Sequence, residues 1–209
     1  MRKVLVAGVV ALGMSLISVA APAPVFGARA GQAAGTVAPG DLKLFTADWS
    51  RGLNGWSGDA SWKPLRGELL SDGTAGESTV LAPYDTRAVT DYAVEARIRA
   101  VKGDDFGIVL RHSASDKGYV AVVDGDTAWI GAGDEPHYAE KIADGQRFSP
   151  GSDWHTYRIE ADGNQLRFLI DGAQFAAVLD NRYLSGGNSG LAASYTQIEV
   201  SGFSVLRLR

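Results

Sequence analysis

Apolar and polar residues alternate with a period of two across residues 153–179. The alternation runs from Tyr157 to Ile170 on both sides of a break at 162–164 (Asp-Gly-Asn). A period of two places the apolar side chains on one face of a sheet. Asp171 and Gly172 supply a second turn, because glycine readily adopts the positive φ of a tight hairpin. The pattern predicts a half-buried antiparallel meander of three strands.

A second unbroken alternation spans Tyr92 to Ala100 and predicts one long strand. Shorter runs bounded by Gly, Asp and Asn predict further strands, at residues 42–46, 62–70 (a hairpin), 79–81, 106–111, 119–123, 128–131, 138–142, 190–194 and 197–208. About a dozen short strands without a convincing helical stretch are typical of an all-β sandwich or jelly roll of two antiparallel sheets. We expect residues 41–209 to form this one domain.

The first thirty residues have the composition of a secretory signal peptide. A basic start at Arg2 and Lys3 precedes an uncharged, mostly apolar run at 4–19, and small residues follow. Cleavage after Ala20 or Ala30 fits this pattern, and we favour Ala30. Residues 31–40, rich in small residues, predict a flexible leader.

A retained membrane anchor is the alternative interpretation. It is disfavoured because Pro22 and Pro24 follow the apolar run and no basic stop-transfer cluster comes after them. We therefore expect a secreted protein that is free of the membrane after cleavage.

Composition excludes several classes of function. The chain has no cysteine, which excludes disulfides, thiolate metal sites and a cysteine nucleophile. Residues 31–209 carry 17 basic and 24 acidic residues, a net charge of −7. Nucleic acids and anionic membranes are therefore not expected as partners.

Five stretches, taken in order, resemble one superfamily. They are WKPLRGEL at 62–69, DYAVEARI at 91–98, GIVLR at 107–111 with GYV at 118–120, WHTYRI at 154–159, and GN at 163–164 with IDG at 170–172. Together they resemble concanavalin A-like, laminin-G-like sandwich domains over residues 42–208. The most similar members are the secreted 3-keto-disaccharide hydrolase family and related carbohydrate-binding modules. The resemblance implies a concanavalin A-like jelly roll, but the superfamily includes lectins, binding modules and hydrolases.

No metal or other cofactor is predicted. The last strand of such domains often carries Asp residues that help to hold a structural calcium, and Ser201 and Gly202 occupy that place here. Asp41 and Asp48 remain as alternative calcium ligands. The three histidines, at 112, 137 and 155, lack the spacing of zinc ligands on one element, and His155 is expected to pack or form hydrogen bonds in the sheet.

Glycoside hydrolysis usually needs two facing carboxylates, and the sequence shows no obvious pair. Glu95 stands alone on its predicted strand, and Asp134 and Glu135 lie in a predicted loop, so these charges are expected to be solvated. An enzyme is thus less favoured than a binding protein.

Aromatic and arginine side chains are suited to binding saccharides. The apolar faces of a saccharide stack on flat aromatic rings, and its hydroxyl groups accept hydrogen bonds from the planar guanidinium. The expected ligand-binding residues are Arg111, Trp129, Tyr138 and Trp56. Arg111 is expected on the outer face of its strand if Ile108 and Leu110 face the core. For each tryptophan, packing in the core or in a loop is the alternative to ligand binding.

The sequence predicts a secreted, non-catalytic domain that binds a poly- or oligosaccharide. A glycoside hydrolase of the 3-keto-disaccharide type is the alternative, and an extracytoplasmic protein-interaction domain is a third. No particular glycan and no oligomeric state is assigned by the pattern.

Overall fold

The computed structural model describes residues 41–113, 115, 117–133 and 139–209, and every regular element in these ranges is a β-strand. The predicted signal peptide (1–30), the predicted leader (31–40) and Tyr138 lie outside the described residues. The strands are β1 (Leu42–Thr46), β2 (Ser57–Gly58), β3 (Trp62–Leu65), β4 (Glu68–Ser71), β5 (Ser78–Leu81), β6 (Tyr92–Lys102), β7 (Phe106–His112), β8 (Gly118–Asp124), β9 (Thr127–Gly133), β10 (Glu140–Ala143), β11 (His155–Asp162), β12 (Gln165–Ile170), β13 (Ala173–Leu179), β14 (Asn188–Ala193) and β15 (Gln197–Arg207).

These strands form two antiparallel sheets. The eight-stranded sheet has the order β13-β12-β11-β6-β15-β4-β3, with β1 also paired to β15. The seven-stranded sheet has the order β10-β9-β8-β7-β14-β5-β2. The predicted all-β sandwich is therefore confirmed, and many neighbours in each sheet are distant in sequence, as in a jelly roll.

The predicted meander is confirmed as β11, β12 and β13. Ile159 stands opposite Phe168 in the β11–β12 register, and both side chains are buried. Gly163 and Gly172 have φ values of 54° and 81°, as their turns require. His155 contacts Asp171 through Nδ1 (2.7 Å) and the carbonyl of Pro150 through Nε2 (3.2 Å), so its predicted bonding within the sheet is confirmed.

The core lies between the sheets and takes one face of each. It includes Ile98, Ile159, Phe168 and Val200 from the eight-stranded sheet, and Ile108, Ala121, Ile130 and Leu191 from the seven-stranded sheet. Apolar residues at every second position supply this interior, which is the cause of the period of two in the sequence.

The first strands differ from the predicted pattern. The short strand β2 was not predicted, and its two residues carry no alternation that would reveal it. In β1 the register shifts between Lys43 and Phe45, so Leu44 and Phe45 both pack against the core, while Leu42 is 52% exposed. A bulge of this kind places two successive side chains on the same side.

The charges on the outer face of the eight-stranded sheet are paired rather than simply solvated. Arg158 contacts the carboxylates of Asp41 (2.6 Å), Glu160 (2.7 Å) and Glu95 (3.5 Å). Glu160 also pairs with Arg167 at 2.7 Å. The expectation that Glu95 is a solvated surface charge is therefore wrong, and Asp41 serves as an ion-pair partner at the start of the domain.

Neither a cluster of metal-binding side chains nor a membrane-spanning helix occurs in the ranges that the structure describes. No group of three or more His, Cys, Asp or Glu residues there is arranged to hold a metal ion. None of the described residues belongs to a helix with the length and apolar character needed to cross a membrane.

Candidate functional site

The outer face of the seven-stranded sheet carries a second apolar cluster, which we call the outer valine face. It consists of Val109, Val120, Val122 and Ala192, with Leu81, Trp129 and Ala139 packed around it. Strand pairing explains the cluster, because side chains of directly opposed residues share one side of a sheet. Two rows of directly opposed residues cross the sheet from strand to strand on this face. The first row is Trp129, Val122, Gly107, Ala192 and Thr79. The second row is Lys141, Gly131, Val120, Val109, Gly190 and Leu81.

Trp129 is held in place on this face. A Cβ atom added at Gly131 would lie 2.7 Å from Cζ3 of Trp129. The indole therefore packs directly against the backbone at Gly131, and any larger residue there would displace it. The ammonium group of Lys141 lies 5.1 Å from the ring centroid of Trp129, within the range of a cation–π contact. The buried indole N–H of Trp129 has no hydrogen-bond partner. A fixed aromatic ring next to an open surface is suited to stacking against a ligand.

An open depression lies beside Trp129. Its empty volume is about 410 Å³ including the space open to solvent, and it is lined by Asp105, Phe106, Gly107, Val120, Val122, Asp124, Trp129 and Ala192. Most of the lining residues are apolar in type, but polar atoms, including those of the two carboxylates, make up the larger part of the exposed lining. A shallow, open depression that combines apolar side chains with hydrogen-bonding groups can hold part of a ligand at the surface.

The two carboxylates lie at the end of the β7–β8 pair that is away from its connecting loop. Phe106 pairs with Val123, Asp105 directly precedes Phe106, and Asp124 directly follows Val123. Both side chains line the same depression, so their carboxylates lie near one another. The sequence prediction missed this pair and considered Glu95, Asp134 and Glu135 instead. The signal was present in the sequence, since one aspartate directly precedes the first predicted strand of this hairpin and the other directly follows the second.

Arg111 lies in the interior, and its expected position on the outer face is wrong. The residue is only 2% exposed, and its guanidinium donates to the carbonyl oxygens of Thr90 (2.6 Å) and Tyr183 (3.1 Å). Its backbone N–H donates to the hydroxyl of Tyr92 (2.7 Å). Burial lowers the pKa of Arg111 from its ordinary value, and burial also raises the pKa of the nearby Tyr119 to about 12.

A β-bulge explains the inward direction of Arg111. His112 pairs with Asn188 and Val109 pairs with Gly190, so Leu110 and Arg111 together oppose a single residue of β14. Arg111 has a φ of 52° there, which breaks the alternation. Val109 faces outward as expected, whereas Leu110 and Arg111 are both buried.

Trp56 also lies away from Trp129. Its ring packs on the core side, with ring centroids 5.0 Å from Phe203, 5.5 Å from Trp49 and 6.2 Å from Phe45. Tyr138 is outside the described residues. Of the four residues expected to bind a ligand, the structure therefore places Trp129 on the outer valine face and does not bring Arg111 or Trp56 to it.

Two antiparallel sheets around one core, with an open outer face on the seven-stranded sheet, make this a protein of the concanavalin A-like sandwich class. The chain belongs to the family of 3-keto-alpha-glucoside-1,2-lyase-like domains, whose sequence pattern matches residues 44–199. The suspected family is thereby confirmed. A comparison with curated proteins gives no match.

Solved structures share the fold. The carbohydrate binding module CBM66 from Bacillus subtilis has a TM-score of 0.64 and 19% identity, covering 72% of this chain and 94% of that one. The carbohydrate recognition domain of Emp47p has a TM-score of 0.60 and 14% identity, covering 83% and 99%. The exoplasmic/lumenal domain of VIP36, bound to Ca²⁺ and Man3GlcNAc, has a TM-score of 0.60 and 9% identity, covering 76% and 85%. At these identities the shared property is the fold.

Proposed function

We propose that the chain is an exported saccharide-binding domain whose ligand lies on the outer valine face, stacked on Trp129. The observation that carries this proposal is the aromatic ring fixed by Gly131 and Lys141 at the edge of an open depression. Saccharides present apolar C–H faces to such rings, and a ring that is already held loses little freedom on binding.

The two aspartates indicate the kind of saccharide. Asp105 and Asp124 line the depression, and ionised carboxylates accept strong hydrogen bonds from hydroxyl groups. They would repel a carboxylate or sulfate on the ligand. The outer valine face is therefore suited to a neutral saccharide.

The structural neighbours support the same proposal by their names. They include a carbohydrate binding module, a carbohydrate recognition domain, and an exoplasmic/lumenal domain that was solved with Man3GlcNAc. Each of these neighbours is named for carbohydrate binding or was solved with a glycan.

Replacement of Trp129 tests the proposal. A glycan array first identifies a neutral ligand, and calorimetry then compares the wild type with Trp129→Ala. We expect the affinity to fall at least tenfold, which corresponds to about 1.4 kcal/mol, because the stacking surface is lost. The melting temperature should change little, since Trp129 lies outside the main core between the sheets.

Tyr195→Asn is the matched control for this experiment. Tyr195 is an aromatic residue at the turn before β15, and it is 70% exposed. Its backbone φ is 47°, a value that asparagine also adopts readily. This variant should bind the glycan like the wild type. Equal affinity of Trp129→Ala and wild type would contradict the proposed site, and an array without any hit would favour a protein-interaction domain.

Catalysis on a glycoside is the second candidate, and the two carboxylates in the depression, Asp105 and Asp124, favour it together with the name of the family. One carboxyl group as acid and the other as base or nucleophile is the usual arrangement in glycoside hydrolases. Release of reducing sugar by the wild type, abolished in both Asp105→Asn and Asp124→Asn, would establish this activity. Under the binding proposal the wild type releases none.

Export is tested separately. The basic start and apolar run of residues 2–19 predict cleavage, so mass spectrometry of the culture supernatant should find a mature N-terminus between residues 21 and 31. Recovery of the intact protein from Met1, and only from membranes, would contradict the prediction.

A further inference from the structure

Two arginines flank one tryptophan on the outer face of the eight-stranded sheet. Arg97 and Arg99 are alternate residues of β6, and Trp154 lies just before β11, the neighbouring strand. The guanidinium carbon atoms of Arg97 and Arg99 lie 4.8 Å and 4.9 Å from the ring centroid of Trp154. Contacts of this length hold a guanidinium in place against the ring.

The two guanidiniums differ in their ionic partners. Arg99 forms an ion pair with Glu199 of β15, to which its Nε donates at 3.0 Å. Arg97 donates to the hydroxyl of Ser201 at 3.2 Å, and within the described ranges no carboxylate lies at ion-pair distance from it. The other two arginines of this face, Arg158 and Arg167, are both paired with carboxylates.

Arg97 therefore presents a guanidinium that is positioned but not neutralised. Trp154 and Ser201 fix its place, so a ligand that binds it does not have to immobilise a flexible side chain. A guanidinium has five N–H donors in a planar fork, and this fork matches the two oxygens of a carboxylate. The net charge of −7 on residues 31–209 disfavours a polyanion. A ligand with one carboxylate and no other charge fits the guanidinium fork and is repelled little by the negative net charge of the domain.

We propose that Arg97, Trp154 and Ser201 form a second saccharide site, which takes a uronic acid unit through its carboxylate. This site is separate from the outer valine face, because it lies on the other sheet. The choice of a saccharide rests on the proposed function, whereas the carboxylate contact rests on Arg97 alone, and the two sites select ligands of different charge. The outer valine face has two carboxylates in its depression, whereas this site has an unpaired cation.

A matched pair of ligands tests the carboxylate directly. 4-Nitrophenyl β-D-glucuronide and 4-nitrophenyl β-D-glucoside differ in having a carboxylate or a hydroxymethyl group at the same position. NMR titration of the mature protein follows the indole N–H signals of its tryptophans, assigned with Trp154→Phe and Trp129→Phe. We expect the glucuronide to shift the Trp154 signal and to bind at least tenfold more tightly than the glucoside.

Three variants locate the effect. Arg97→Gln should remove the preference for the glucuronide, and Arg97→Lys should keep part of it, because it retains the charge without the planar fork. Arg87→Gln is the matched control, since the Arg87 side chain is 81% exposed and pairs with Asp85 in the loop before β6. It should leave the titration unchanged.

Several results would overturn the proposal. They are equal affinity for both ligands, an unchanged preference in Arg97→Gln, or an equal loss in Arg87→Gln, which would indicate non-specific attraction. A glucuronide that shifts the Trp129 signal and not that of Trp154 would assign its binding to the outer valine face. Failure of a neutral glycan to bind at Trp129 would leave the expected glucuronide result unaffected.

Discussion

Phe168→Ala is expected to lower the free energy of unfolding by about 3–5 kcal/mol, the range for a phenylalanine removed from a packed core. Phe168 is 1% exposed and stands between Ile159 on β11 and Ala176 on β13. Truncation removes its apolar surface and leaves a cavity between the sheets. Denaturant unfolding followed by tryptophan fluorescence gives the difference.

Gln165→Ala is the control on the same strand. Gln165 is exposed at the first position of β12, so its replacement should change the free energy of unfolding by no more than about 0.5 kcal/mol. Arg167 would be a poorer control, although it faces outward, because it pairs with the buried carboxylate of Glu160. A larger loss for Gln165→Ala than for Phe168→Ala would mean that the register of β12 is shifted by one residue.

Arg111→Ala is expected to destabilise the fold by at least about 3 kcal/mol rather than to weaken saccharide binding. The guanidinium satisfies two carbonyl oxygens, those of Thr90 and Tyr183, and each buried acceptor left without a donor costs about 1–3 kcal/mol. The side chain is also among the largest that are fully buried, so a cavity adds to the loss. Denaturant unfolding measures the effect.

Two further measurements distinguish this structural role from a ligand contact. Arg111→Lys keeps a positive charge but lacks the planar fork that reaches both carbonyls, so it should be nearly as destabilising as Arg111→Ala. Below the unfolding transition, folded Arg111→Lys should bind a neutral glycan like the wild type. A stable Arg111→Ala variant with weakened glycan affinity would contradict the buried position.

The fold was predictable where alternation is regular. In strands β6, β11 and β12 every second residue over most of the length belongs to the core between the sheets, and these apolar faces were identified from the sequence. Two bulges were not predictable. At β1 and at Arg111 the alternation is broken by backbone conformation, which the pattern of residue types does not encode.

The candidate site was predictable only in part. Trp129 stands at an outward position of a predicted strand, but an aromatic residue on a strand is equally compatible with a core position. Asp105 and Asp124 come together through the pairing of β7 and β8, and Arg97 meets Trp154 through the pairing of β6 and β11. The sequence contains these residues, but their proximity depends on strand register.

The central claim is that a neutral saccharide binds the outer valine face, and NMR mapping with the best neutral glycan from the array tests it most directly. The predicted result is a set of saturable shifts at Gly107, Val120, Val122 and Ala192 and at the indole N–H of Trp129. Shifts confined to the outer face of the eight-stranded sheet, around Arg97 and Arg158, would contradict it.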